Sequence, residues 1–119
     1  MRTRPFVETV ALHDIALNRK AIEASCFDPR ESPPALPLRT LAGSLCIKKA
    51  VLAAARFTDN KTGCREKDVL VGHDGLGAPR IFFMPGAVRD RLGPIRVSVS
   101  HTADHACGCV VIAEDSNDD

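Results

Sequence analysis

The chain has 119 residues, 45% hydrophobic and 26% charged, which suffices for one buried core and predicts a single domain over residues 1–119. Its formal net charge of +1 gives no overall field for attracting nucleic acid or an anionic membrane, so neither is expected as a partner. Charged residues interrupt the N-terminal apolar segment before it could serve as a signal peptide, and no uncharged apolar run reaches membrane-spanning length, so we expect a cytoplasmic protein.

The first third of the chain predicts a strand, a helix and a loop. β-Branched residues alternate over residues 6–12 and favour a strand, and residues 14–25 favour a helix with Asp14 near its N-cap. The segment 27–38 contains four prolines, which exclude a regular helix or central strand, and is predicted to be a loop.

A second helix is predicted over residues 40–56. Leu41, Leu45 and Leu52 recur at the intervals of a core-facing helical stripe. Lys48 falls inside this stripe, and Lys49 follows about 100° further round the helix. Two interpretations remain open for these lysines: their stems cover apolar surface while the ammonium groups reach water, or they point at a negatively charged group.

The second half of the chain predicts two hairpins separated by a short helix. Pro85 and Gly93 are typical of the two ends of that helix. The strands are predicted over residues 67–72, 78–84, 95–100 and 105–114, and the acidic residues 114–119 are expected to form a frayed tail. This order predicts an α+β fold, with helices packed on one antiparallel sheet.

Three short motifs stand in order along residues 39–113. They read RTLAGSLCIKKA at 39–50, GAP at 77–79 and VSVSHTADHACGCVVI at 97–112. In the same order they resemble three motifs of one enzyme family. The first is the helix signature R-x-L-A-G-R-W-A-A-K-E-A, and the second is the hairpin turn G-K-P. The third is the last hairpin, with V-S-I-S-H-T followed by A-x-A-x-V-I. That family is the holo-acyl-carrier-protein synthase type of 4′-phosphopantetheinyl transferases.

The resemblance implies a fold and a reaction. It implies a 4′-phosphopantetheinyl transferase-like fold and transfer of the phosphopantetheine arm of coenzyme A to a serine of an acyl carrier protein, with release of adenosine 3′,5′-bisphosphate. It further implies Mg²⁺ as cofactor, a role in fatty acid biosynthesis, and a homotrimer with a site at each subunit interface. Coenzyme A and the carrier protein are therefore the expected partners.

The resemblance also places residues of the metal site. Asp14 is favoured as the acidic ligand of Mg²⁺, and Glu8 is a competing placement. Lys49 stands where the family has its metal-binding glutamate, and a protonated lysine has no lone pair to offer a metal. Lys48 matches the lysine of the signature. It is expected to contact a phosphate and, with Lys49, to occupy the catalytic part of the helix.

Five further residues are expected beside coenzyme A. Arg39 matches the first arginine of the signature and is expected to reach a phosphate or the carrier protein. Gly77 and Pro79 would shape the turn beside the pantetheine arm. Ser100 and His101 would contact the phosphates, with His101 as donor; the alternative is a turn in which the hydroxyl and imidazole cap strand ends.

Two departures from the family pattern accompany Lys49 on the same helix. Ala53 stands where many members have a catalytic lysine, and Ser44 stands where the signature has its second arginine. Two hypotheses follow. The chain is a transferase with an altered metal site, or it is a non-catalytic relative that binds a carrier protein or a nucleotide.

The last hairpin also offers a possible zinc site as an alternative. His101, His105, Cys107 and Cys109 have zinc-ligand chemistry within nine residues. On a strand, however, the two cysteines share one face, where they are expected to be thiols buried in the core. The odd total of five cysteines, without disulfide-framework spacing, favours reduced thiols.

Overall fold

The computed structural model describes residues 2–114, so residues 115–119 of the predicted acidic tail lie outside the described range. Glu114 itself belongs to the last strand. The elements of the described range are β1 (Arg2–Ala11), α1 (Leu12–Leu17), α2 (Arg19–Cys26), α3 (Leu38–Thr58), β2 (Leu70–His73), β3 (Pro79–Phe83), α4 (Gly86–Leu92), β4 (Ile95–His101) and β5 (His105–Glu114). Within this range no helix combines the length and apolar character needed to cross a membrane.

The strands form two antiparallel sheets rather than the single sheet predicted. One has the order β1-β5-β4, and the other is the β2–β3 hairpin. The α+β class and both predicted hairpins are confirmed. β1 begins four residues earlier than predicted, because it pairs with β5 along a continuous ladder from Arg2↔Glu114 to Ala11↔His105. That long-range pairing has no local sequence signal.

Helix α3 is the centre of the core. Its residues from Leu41 to Lys48 are all buried, and it packs on the inner face of the three-stranded sheet. Alternation along β5 directs Ala106, Val110 and Ile112 toward the helix. The prediction of a helix over 40–56 is confirmed, with about one half-turn more at each end.

Two glycines allow α3 to lie very close to the sheet. A Cβ atom at Gly108 of β5 would lie 2.7 Å from Cys46 Cβ and 2.8 Å from the backbone nitrogen of Ile47. A Cβ atom at Gly43 of α3 would lie 2.7 Å from Cγ2 of Val99. The position of α3 over β4 and β5 therefore requires glycine, which has no side chain, at both residues.

The helix predicted over residues 14–25 is two helices, divided at Asn18. The Asn18 side-chain amide donates to the backbone carbonyl of Asp14 at 2.9 Å, which ends α1. Arg19 then donates to the carbonyls of Pro33 and Leu36, at 3.0 and 2.6 Å, and fastens α2 to the proline-rich segment. Asp14 lies in the first turn of α1, three residues after the N-cap residue Ala11, so it is near the N-cap but does not occupy it.

The prediction that Cys107 and Cys109 are core thiols was wrong. The two cysteines do share one face of β5, but that face is turned away from α3 and both are partly exposed. The reason is strand alternation: Ala106, Gly108 and Val110 take the inner positions. We call the outer surface of the three-stranded sheet, which also carries Val7 and Ser98 beside Cys109, the open face.

Candidate functional site

The three sequence motifs meet at one small cavity of about 80 Å³. It lies where α3, the β2–β3 hairpin and β4 come together. The lining residues are Thr40, Gly43, Ser44 and Ile47 of α3, His73, Gly77 and Pro79 of the hairpin, and Val99 and His101 of β4. Residues that are distant in the chain thus form one concave site, and it includes Gly77, Pro79 and His101 from the sequence analysis.

His101 ties the end of β4 to the beginning of α3. Its ring Nε2 lies 3.0 Å from the backbone carbonyl oxygen of Arg39. Because a carbonyl oxygen only accepts, Nε2–H is the donor, and Nδ1 is the nitrogen left for a ligand. The Arg39 side chain is exposed at the start of the same helix. The arrangement orients the imidazole toward the cavity and leaves the guanidinium at the surface.

Ser100 does not join His101 in the cavity. Successive residues of a strand point to opposite faces, and along β4 Val97 and Val99 are the half-buried inner residues. Ser100 therefore lies on the open face, opposite Cys107 in the ladder. Ser100 and His101, both expected beside the phosphates, thus lie on opposite faces of β4.

A short polar turn holds the tip of the β2–β3 hairpin. The Asp74 carboxylate accepts hydrogen bonds from the backbone N–H groups of Leu76 at 2.8 Å and Ala78 at 3.0 Å. These two hydrogen bonds lower the pKa of Asp74. Gly77 has a φ of +86°, a conformation that favours glycine. The turn fixes Pro79 at the cavity, and Asp74 is a residue that the sequence analysis missed.

Lys48 is buried in the core and does not face the cavity. Its ammonium donates to Oε1 of Glu31 at 2.8 Å, to the carbonyl of Glu66 at 3.2 Å, and to the carbonyl of Val69. It also lies 4.6 Å from the centre of the Phe27 ring. With its three protons engaged and its side chain fully enclosed, Lys48 has no donor left for a phosphate. The expected phosphate contact and catalytic placement are therefore corrected to a structural role.

Glu31 is the partner that makes this burial tolerable. Besides the Lys48 ammonium, its carboxylate accepts the backbone N–H groups of Asp28 at 2.9 Å and Val71 at 2.8 Å. Burial lowers the pKa of Lys48, and the hydrogen bond and charge of Glu31 oppose that shift. The pair joins α3 to the proline-rich segment and to β2. No feature of the sequence had singled out Glu31.

Lys49 lies on the neighbouring face of α3 and remains partly exposed. Its ammonium is 3.9 Å from Oε2 of Glu66, a distance at the limit of an ion pair. Ala53, one turn later, is half-buried and offers no charge. Thus a cation stands where the resemblance places the acidic metal ligand, and a methyl group stands where it places the catalytic lysine of many members.

Of the two acidic residues considered from the sequence, Glu8 faces α3 and Asp14, which was favoured, does not. Phe6, Glu8 and Val10 are the half-buried residues of alternate positions on β1 and share the face toward α3. Strand β1 packs against α3, so Glu8 faces this helix from the sheet. Asp14 is exposed on α1.

The donor set of this region does not fit a Mg²⁺ ion. Between residues 2 and 114, no three His, Cys, Asp or Glu side chains come together as a metal site, and this includes His101, His105, Cys107 and Cys109 of the last hairpin. Mg²⁺ requires several oxygen ligands, whereas Lys49 brings a positive charge to the helix position in question.

Sequence comparisons give no relative: no family model and no curated protein matches the chain. Solved structures do match. The holo-[acyl-carrier-protein] synthase of Helicobacter pylori, in complex with coenzyme A, superposes with a TM-score of 0.74 at 19% identity, over 92% of this chain and 100% of the other. A holo-(acyl-carrier-protein) synthase from Bacillus anthracis, in complex with coenzyme A (3′,5′-ADP), gives 0.70 at 18% identity, over 91% and 93%.

The acyl carrier protein synthase of Mycobacterium tuberculosis is more similar in sequence, with 25% identity and a TM-score of 0.65 over 92% of this chain and 95% of the other. Matches of this extent establish that the chain has the fold of the holo-acyl-carrier-protein synthases. They bear out the resemblance drawn from the three motifs, since similarity of short motifs and similarity of the whole backbone lead to the same family.

Proposed function

We propose that this protein is a divergent 4′-phosphopantetheinyl transferase that binds coenzyme A and transfers its phosphopantetheine arm to a serine of an acyl carrier protein. One observation carries the proposal. The three motifs of the resemblance converge on a single cavity, within a backbone that has the fold of synthases solved with coenzyme A bound. Convergence of separate motifs on one concave site is typical of a ligand site.

The residues around the cavity have separate tasks in this proposal. The hairpin turn at Gly77 and Pro79 forms one wall for the pantetheine arm, and His101 offers Nδ1 from the other side. The exposed guanidinium of Arg39, at the start of α3, is placed to contact a phosphate or an acidic carrier protein. Lys48 contacts neither substrate, and it positions α3 through Glu31.

Catalysis is expected to be weak in the unmodified chain. Transfer places charge on a pyrophosphate, and stabilising that charge needs cations aimed at its oxygens. Lys49 supplies one flexible charge, which supports phosphate binding without metal but cannot fix the oxygens as a divalent ion does. We therefore expect binding that is independent of Mg²⁺, together with slow transfer.

A second candidate function is a non-catalytic relative that binds coenzyme A or a carrier protein. The observation in its favour is the replacement of two groups on α3. Lys49 stands at the position of the family's metal-binding glutamate, and Ala53 stands at the position of the catalytic lysine. The two candidates share the ligand site and differ only in turnover.

The proposed assembly is a homotrimer. Helices cover only the inner face of the three-stranded sheet, and the open face presents small and apolar residues such as Val7, Cys109 and Val111. A domain of this size buries only about 60–65% of its unfolded surface, so covering the open face adds stability. Ser100 lies on this face and would reach a ligand only across a subunit interface.

The five free cysteines in the described range accord with the expected cytoplasmic location.

The test is incubation of the purified protein with coenzyme A, Mg²⁺ and an apo-carrier protein, followed by mass spectrometry of the carrier protein. We expect a small fraction to gain the phosphopantetheine arm. Lys49→Glu should introduce dependence on Mg²⁺, and Lys49→Glu combined with Ala53→Lys should raise the rate further. A matched control is Lys61→Glu, which makes the same charge change on an exposed residue beyond α3.

Each result separates the candidates. Binding of coenzyme A without any product, in the native protein and in both variants, would favour the non-catalytic relative. Rapid Mg²⁺-dependent transfer by the unmodified chain would show that the interpretation of Lys49 is wrong while supporting the transferase. Absence of coenzyme A binding at millimolar concentration would overturn the transferase and leave only a relative that binds a carrier protein.

A further inference from the structure

Two neighbouring cysteines on the open face have no part in the proposed function. Cys107 and Cys109 are two positions apart on β5, so strand alternation places both side chains on the same surface. Both are free thiols, and both are partly exposed in the single chain. Neither sulfur has a hydrogen-bond partner among residues 2–114. The two thiols are therefore accessible and free to turn toward a common ligand.

The surroundings of the pair are small and uncharged. Four residues flank the two cysteines on the neighbouring strands: Val7, Thr9, Ser98 and Ser100. Their hydroxyl and methyl groups bring no positive charge that would oppose a bound cation, and they are poor ligands for a soft metal ion. The ligand atoms that this surface offers to such an ion are thus the two sulfurs.

The number and spacing of the sulfurs select the kind of ion. Within residues 2–114 no third His, Cys, Asp or Glu joins them in a metal-binding group, so the four ligands of a structural zinc site are not present. Thiolates are soft ligands that favour Cu(I), which accepts two ligands in a linear arrangement. Residues i and i+2 of a strand lie roughly 6.6–6.8 Å apart. Two thiolate–metal bonds of about 2.3 Å span roughly 4.6 Å, a separation that the sulfurs reach by leaning toward each other along the strand.

We infer that Cys107 and Cys109 bind one Cu(I) ion as a pair of thiolates, and that a chain carrying this ion does not assemble through the open face. Binding forms two S–Cu bonds and releases the two thiol protons, without a change of oxidation state. The complex has a net charge of −1, and covering that charge with an uncharged protein surface is unfavourable. The metal site is independent of the proposed function, whereas the effect on assembly rests on the homotrimer proposed with it.

The experiment is an anaerobic titration of the full chain with Cu(I) buffered by the chelator bathocuproine disulfonate, whose absorbance reports the copper that it loses to the protein. The native chain should bind one ion. Cys107→Ser and Cys109→Ser should each lower the affinity by about 100-fold or more, because the second sulfur of a linked pair acts at a high effective concentration. Light scattering of the native protein should show the mass falling toward one subunit as Cu(I) is added.

Cys26→Ser is the matched control. Cys26 is also a partly exposed free thiol, but it lies on α2, so this variant should bind one ion with the native affinity. Equal affinity of the native chain and the two open-face variants would overturn the metal site. Trimers that keep their mass with one ion bound to each chain would overturn the effect on assembly. A native protein that is a single subunit without copper, yet binds the ion through both cysteines, would support the metal site and overturn the proposed trimer.

Discussion

Lys48 shows how one buried charge can organise a small domain. It is a lysine in the middle of an apolar helix, and three chain segments meet at its ammonium: the proline-rich segment at Glu31, the turn at Glu66 and the start of β2 at Val69. A paired buried charge gives little net stability over an apolar replacement, but removing one partner leaves the other charge buried and unpaired. The role of Lys48 is therefore to specify which segments pack together.

Lys48→Met is predicted to destabilise the protein by about 3–5 kcal/mol, because the Glu31 carboxylate then stays buried without its cation. Glu31→Gln should be destabilising for the converse reason. The double variant should lose much less stability than the sum of the two single variants. Urea unfolding followed by circular dichroism measures all three free energies of unfolding.

Lys49→Met is the matched control for the buried lysine. Lys49 is the adjacent residue, partly exposed, and its nearest carboxylate oxygen is 3.9 Å away, so its loss should change stability by less than about 1 kcal/mol. Equal effects of the two lysine substitutions, or strict additivity of the Lys48 and Glu31 effects, would contradict the buried pair.

The buried thiol of Cys46 makes the stability of the folded protein depend on pH in the alkaline range. Burial raises the pKa of its thiol from 9.0 to about 11 in the folded protein. Between these values the unfolded chain releases a proton that the folded chain keeps, so the stability that Cys46 contributes is complete below pH 9 and decreases as the pH rises toward 11.

The predicted measurement is the difference in unfolding free energy between the native protein and Cys46→Ala. This difference should decrease by about 1 kcal/mol from pH 8 to pH 10. Lys48 affects the pH dependence of stability in the opposite direction, but its effect cancels in the difference because both proteins contain it. Val51→Ala, a buried truncation without an ionisable group, should give a difference that stays constant over this range. The same constancy for Cys46→Ala would disprove the assignment.

At the scale of elements, the contact of α3 with β5 decides where the cavity forms. The helix carries Ser44 and Gly43, and the sheet beneath it carries Val99 and His101, so the separation of the two layers sets the width of the site. Gly108 controls that separation on the sheet side, because the atoms that face it belong partly to the backbone of α3.

Gly108→Ala is predicted to destabilise the protein by about 1–3 kcal/mol and to weaken coenzyme A binding, because the new methyl group forces α3 away from the sheet. Gly86→Ala is the control: at the start of α4 its Cβ would meet only the Arg89 guanidinium at 3.9 Å, so this change should be neutral or stabilising by about 0.5–1 kcal/mol. Thermal unfolding and calorimetric titration report both effects. Equal stability of the two variants would refute the close packing.

At the scale of the whole molecule, one layer of helices leaves the open face without a cover. A mass of three subunits by light scattering at micromolar concentration is the expected result for the native protein. Val7→Glu should produce monomers, since it places a charge on the open face at a residue that is 56% exposed in the single chain.

Leu17→Glu is the control for assembly. Leu17 is also an exposed apolar residue, but it lies on α1, away from the open face, and its change should leave the trimer intact. A native mass of one subunit would exclude the proposed trimer. A trimer that survives Val7→Glu would show that another surface holds the subunits together.

The sequence by itself determined the parts of this protein that have local causes. Pro85 and Gly93 marked the ends of α4, alternation marked the last hairpin, and the spacing of leucines marked α3; all three are confirmed. These signals act within a few residues, because a turn, a cap or an apolar face is decided by neighbours in the chain. The motifs, read in order, also led to the right fold.

Only the tertiary structure decided which side chains meet. The partner of Lys48 is Glu31, seventeen residues earlier in a segment predicted only as a loop. Ser100 and His101 are adjacent in the chain but lie on opposite faces of β4, and Glu8 rather than Asp14 lies beside α3 because β1 pairs with the far end of the chain. Such contacts depend on strand register and on the packing of distant segments, for which a single sequence carries no local signal.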